Sequence, residues 1–162
     1  MASLRQARVA TLVCFFLTAF FSAYGQTPVP DRSPANPATP AEASQIAQQY
    51  SAERLALWQR RLKLEDWRIS VQQARSTQLK PGTLGAISWD KSRKTAVIWV
   101  LDAADYQLPF RQMLDDMELT VVHELIHLEL ASLPKGQASR SSEEHAVNGF
   151  ADALLALDRG KQ

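Results

Sequence analysis

A histidine, a glutamate beside it and a second histidine four residues on can do metal chemistry, and His123, Glu124 and His127 have that spacing. On a helix, residues four apart share a face with Cβ atoms about 5–6 Å apart, so both imidazoles can aim a nitrogen at one ion. Two imidazoles leave a tetrahedral zinc ion short of ligands. A catalytic site needs a third protein ligand and an open position for water. Glu124 lies next to His123 and can reach that water, where a carboxylate works as general base in metal-assisted hydrolysis. The same spacing also arises as a solvated helix face with i to i+4 pairing. Two features argue against that use here. Leu119, Val121, Val122, Leu125, Ile126, Leu128 and Leu130 surround the motif, so at least one face of its helix is buried. In addition, the chain's only three histidines, His123, His127 and His145, all fall in its last third.

The third ligand has to come from another element. A polar loop over 135–140 leads to a second helical stretch, which Ser141 or Ser142 is placed to cap and which runs to about residue 157. It offers Glu143, Glu144 and His145. At about 100° per residue, Val147, Phe150, Ala151, Leu154 and Leu155 form its apolar face, with the two glutamates at the margins and His145 opposite, towards solvent. Glu144 is the better candidate, because Asn148 one turn later shares its side and can hold a ligand histidine by its second ring nitrogen. The competing use of Glu144 is a capping box with Ser141. The expected centre is one zinc ion per chain held by His123, His127 and Glu144, with Glu124 as the catalytic base.

His123-Glu124-Leu125-Ile126-His127, followed after a loop by Glu144-His145-Ala146-Val147-Asn148, resembles the gluzincin pattern of the thermolysin-type metallopeptidases in a minimal form. The resemblance covers residues 112–158. It implies His123, His127 and Glu144 as zinc ligands, Glu124 as base, and Asn148 where such enzymes usually carry aspartate. It also implies a peptide or protein substrate, held in extended form along a sheet edge, with the strand 95–101 as the counterpart of that edge. The additional histidine or tyrosine that such enzymes use to stabilise an oxyanion has no clear equivalent. Tyr106, between the strands and the motif helix, is the candidate, and a core or surface aromatic is its other reading. A second functional class stays open beside the peptidase: a catalytically weak or inactive zinc-binding protein that presents its sheet edge to a partner.

The elements that would position these residues can be read from periodicity. Residues 41–62 carry an apolar stripe, Ile46, Tyr50, Leu55, Leu57, Trp58 and Leu62, and predict a helix packed across the sheet. The alternation over 67–71 predicts a strand. The runs 84–89 and 95–101, flanking the polar turn 90–94, predict a hairpin whose second strand is apolar on both faces. A helix over 110–131 carries the motif, ended by Pro134 and Gly136. The fold class expected is α+β: a small zincin-like domain over 41–162, with an N-terminal helix, a three-stranded sheet containing a hairpin, the motif helix and a C-terminal ligand-bearing helix.

At 162 residues the chain is long enough for one ordinary domain. Arg5 and Arg8, the apolar run 9–21 and Ala23-Tyr24-Gly25 have the layout of a secretory signal peptide over 1–25. That run is shorter than the ~20 residues a spanning helix needs, so no stable membrane span is expected after cleavage; an uncleaved anchor is the alternative. Export, to a periplasm or beyond the cell, is the expected address. Pro28, Pro30, Pro34, Pro37 and Pro40 make 26–40 a proline-rich linker. Cys14 is the only cysteine and lies in the apolar run, so the remaining chain forms no disulfide. With 18 basic against 17 acidic residues, nothing in the charge balance favours nucleic acid as a partner.

Overall fold

Thr39 opens the first helix. Its hydroxyl accepts the Glu42 N–H at 3.2 Å, a Glu42 carboxylate oxygen accepts the Ala38 N–H at 2.7 Å, and Pro40 takes the first helical position, where no N–H is needed. In the computed structural model, which describes residues 36–133 and 140–160, this helix, α1, runs Pro40–Arg61. It is followed by β1 (Arg68–Ala74), β2 (Gly85–Asp90), β3 (Thr95–Leu101), α2 (Phe110–Leu130) and α3 (Arg140–Arg159), with 3-10 turns at Ser76–Gln78 and Ala103–Asp105. The chain is thus a mixed α+β fold of three helices and one three-stranded sheet among the described residues. The signal segment expected over 1–25, most of the linker, and Pro134 and Gly136 lie outside the described residues. Pro40, read as the end of the linker, belongs to α1.

The hairpin forms where the turn chemistry puts it. Asp90 Oδ1 accepts from the Ser92 N–H at 2.9 Å, the Ser92 hydroxyl at 2.6 Å and the Arg93 N–H at 3.2 Å, and Lys94 takes a left-handed φ of 48°. The sheet order is β1-β3-β2, with β1 parallel and β2 antiparallel to β3. This corrects one expectation: the strand Thr95–Leu101 is the centre of the sheet and not an edge. The reason is in its residues, since a strand apolar on both faces loses most by being half-solvated and gains most between two neighbours. The edges are β1 and β2. The edge of β1 is partly covered by α1, where the Gln48 side chain donates to the Val71 carbonyl at 2.9 Å.

One sheet face is covered by α1 and α2. Val71 of β1 and Ala96, Ile98 and Val100 of β3 pack there against Leu55 and Trp58 of α1 and Val121, Val122 and Leu125 of α2. The other face, with Ser70 and Gln72 exposed and Val97 and Trp99 half-buried, is left towards solvent. α3 closes the domain by laying Val147, Ala151 and Leu155 into the same core. A smaller cluster of Ala47, Met113, Leu114 and Met117 ties α1 to the start of α2. No described helix is long and apolar enough to cross a membrane.

Burial of α2 includes a charge that periodicity did not reveal. Glu118 is 4% exposed, and its carboxylate accepts the Trp58 indole N–H at 2.7 Å, the Arg54 Nε–H at 2.6 Å and the Tyr50 hydroxyl at 3.2 Å. Desolvation, then the Glu118 charge, pushes the Tyr50 hydroxyl far above its ordinary pKa, so it remains a donor. These contacts fix the rotation of α2 about its axis, which decides where His123 and His127 point.

Candidate metal centre

The last two turns of α2 carry the motif on a face set between β2 and α3. On the β2 side the approach is close: a Cβ on Gly85 would lie 2.3 Å from Thr120 Cγ2, 2.8 Å from the Trp99 carbonyl oxygen and 3.5 Å from Glu124 Oε1. Only glycine lets the helix come this near. On the other side, α3 runs antiparallel to α2, bringing Glu143, Glu144 and Asn148 opposite the histidines. The structure therefore brings the three expected ligands together, with Glu124 beside them on α2 and turned towards β2. Glu144, whose other expected use is a cap with Ser141 at the start of α3, has Oε2 within 3.4 Å of both histidine rings. His145 is exposed, as its position on the wheel requires.

Three donor atoms converge. His123 Nε2 and His127 Nε2 are 3.1 Å apart, and Glu144 Oε2 is 3.4 Å from each. What stands behind these atoms settles their chemistry. His123 Nδ1 lies 3.0 Å from Asn148 Oδ1 and His127 Nδ1 lies 3.2 Å from Glu143 Oε1. An amide oxygen and a carboxylate both accept, so each Nδ1 is placed to donate, which leaves Nε2 as the ligating atom of a neutral ring. Burial, and then the neighbouring His127, holds the His123 imidazole below its ordinary pKa, against the opposite pull of Glu144. Two ring nitrogens and a carboxylate oxygen thus face one another. A proton on one Nε2 or a cation among the three atoms would satisfy such a triangle, and His123, His127 and Glu144 could hold one metal ion there.

Glu124 shares the helix with these donors but faces β2. It is 8% exposed, and desolvation, with the Glu144 charge adding to it and His127 opposing, raises its carboxyl pKa to about 7. A carboxyl with its proton affinity near neutrality, beside a group that could hold a metal ion, is suited to exchange protons with water. Arg140 Nε is 3.9 Å from the outer oxygen of Glu144, a loose contact that leaves Oε2 to the histidines.

Tyr106 is not at this site. Its hydroxyl donates to Asp116 Oδ2 at 2.8 Å and its ring packs on the cluster of Met113, Leu114 and Met117. Asp116 is seven residues before His123, about 10 Å along the helix. Two site features escaped the sequence reading. Glu143 stands behind His127, although it was read only as an unchosen ligand. Gly85 admits the helix, and its one signal was an isolated glycine at the start of a predicted strand. A cavity of about 330 Å³ opens one turn along the same α2–α3 groove, bordered by Leu119, Asp116, Asp152 and Leu155.

Comparison of the chain with protein-family models, with curated proteins and with solved structures finds no match, and the functional argument rests on the geometry.

Proposed function

We propose that this chain is an exported zinc-dependent metallopeptidase of gluzincin-like design, with His123, His127 and Glu144 as zinc ligands and Glu124 as general base. The observation that carries this reading is the donor triangle with sides of 3.1, 3.4 and 3.4 Å. Ligand atoms at zinc's 2.0–2.1 Å in tetrahedral array are about 3.3 Å apart, and two imidazoles with one carboxylate are a set zinc accepts with a position left open. Bound there, zinc would supply a Lewis acid to polarise a scissile carbonyl.

The remaining steps belong to the chain's own residues. Asn148 and Glu143 hold the two imidazoles in the ligating tautomer. Glu124 takes a proton from the attacking water and returns it to the leaving amine, a role its partly desolvated carboxyl favours. β2 is the edge strand beside Glu124, and its register with β3, together with the Leu101 N–H to Leu84 carbonyl bond of 2.8 Å, turns the backbone groups of Gly85, Ile87 and Trp89 outward. An extended peptide would pair with these groups and cross the centre, which transfers the edge-binding role from β3 to β2. Export follows the signal-like 1–25 segment of the sequence.

The test compares wild type with Glu124→Gln on an unfolded protein substrate. The variant should keep its zinc and lose hydrolysis by about 10²–10⁴-fold. Equal hydrolysis by the two proteins would remove Glu124 from the reaction. Zinc binding with no hydrolysis in either would favour the binding-protein alternative.

A further inference from the structure

The two ligand histidines are supported unequally. Behind His123 stands a neutral amide, Asn148 Oδ1, at 3.0 Å, whereas behind His127 stands a carboxylate, Glu143 Oε1, at 3.2 Å. We infer that Glu143 is a positioning residue for the metal centre, orienting His127 through its Nδ1–H and supplying the negative charge that Asn148 does not. This inference rests on the metal-centre reading above.

The fold gives the pair its geometry. Glu143 lies in the first turn of α3, next to Glu144, so one short stretch of helix sends one carboxylate to the far side of His127 and the next to the near side of both rings. His127 cannot turn away from one glutamate without leaving the other. A carboxylate accepting the Nδ1 proton makes Nε2 a stronger donor and blocks the tautomer in which Nε2 carries hydrogen. An amide oxygen blocks the wrong tautomer equally well but polarises the ring less. The centre therefore places its polarised histidine second in the motif. Glu143 is half-exposed, at 49% for its side chain, and no other charged partner of it is present among the described residues. An ordinary surface glutamate at a helix start would act on the stability of α3 through the helix dipole and leave the metal untouched.

Zinc affinity of the full chain separates the two roles. Dissociation constants measured by competition with a chelating dye should rise by about 10–100-fold in Glu143→Ala. In Glu143→Gln, whose amide oxygen can still accept the proton, the loss should be smaller, and Asn148→Asp added to Glu143→Ala should recover part of it. Cobalt(II) loaded in place of zinc should give a ligand-field absorption spectrum altered in the alanine variant, a change that loss of helix stability would not produce. If wild type binds zinc and Glu143→Ala binds it equally tightly, this inference falls and the metal centre stands. A glutamine variant as weak as alanine would also overturn the orienting role, leaving a bare charge effect. Failure of wild type to bind zinc would overturn the metal centre itself, and this inference with it.

Discussion

Glu118 on α2 accepts the indole N–H of Trp58 on α1 at 2.7 Å, with both side chains almost wholly buried. Arg54 completes the pairing from the same helix, with its side chain 23% exposed. Removing the carboxylate strands an indole N–H between two helices and leaves Arg54 with its 3.4 Å contact to Asp158. Glu118→Ala should cost roughly 1–3 kcal/mol of folding stability, the cost of leaving a buried donor unpaired. Denaturant unfolding checks this, and a loss below about 1 kcal/mol would show that the network is not holding α1 to α2.

Gly85 makes the second prediction. A methyl group there meets Thr120 Cγ2 at 2.3 Å and the Trp99 carbonyl oxygen at 2.8 Å, so α2 and β2 must separate in Gly85→Ala. Overpacking of this kind costs about 1–3 kcal/mol. Glu124 lies on the displaced side and the histidines do not, so hydrolysis should fall while bound zinc is retained. Full activity in a stably folded Gly85→Ala would contradict this placement of Glu124.

Tyr106→Phe addresses the oxyanion question. The hydroxyl is engaged with Asp116, and the variant should lose about 1.5–3 kcal/mol of stability, as for a hydrogen bond to a charged group. Its turnover should equal that of wild type. A selective drop in kcat would return Tyr106 to the reaction.

Much of this arrangement is legible in the sequence because helical spacing is a strong constraint. A spacing of four from His123 to His127, and again from Glu144 to Asn148, brings each pair onto one face whatever surrounds them, and the hairpin turn at Asp90 follows from local hydrogen bonding. Strand order is different, since neighbours are chosen by tertiary contact. The edge role expected of β3 came from the resemblance alone, whereas its two apolar faces suit the central place it takes. Glu118 and Glu143 were opaque for one shared reason: an acidic residue on a helix looks the same whether it faces water or a partner 16 or 60 residues away.

Metal removal should be felt by the whole domain. An ion bound only by the folded chain stabilises it, so chelation should lower the unfolding midpoint. Zinc restored to about 1,000 times its Kd adds ~4 kcal/mol. His127→Ala should abolish this zinc response. A midpoint indifferent to chelator and to added zinc would indicate that no ion sits among these residues.

The measurement closest to the centre of the account is the zinc content of the purified full-length chain, by elemental analysis, for wild type, His123→Ala and Glu144→Ala in parallel. The donor triangle predicts one zinc per chain in wild type and depleted zinc in both variants. Wild type prepared without chelators, supplied with zinc and still free of it would contradict the metal centre, and with it the reading of His123, Glu124 and His127 as a hydrolytic site.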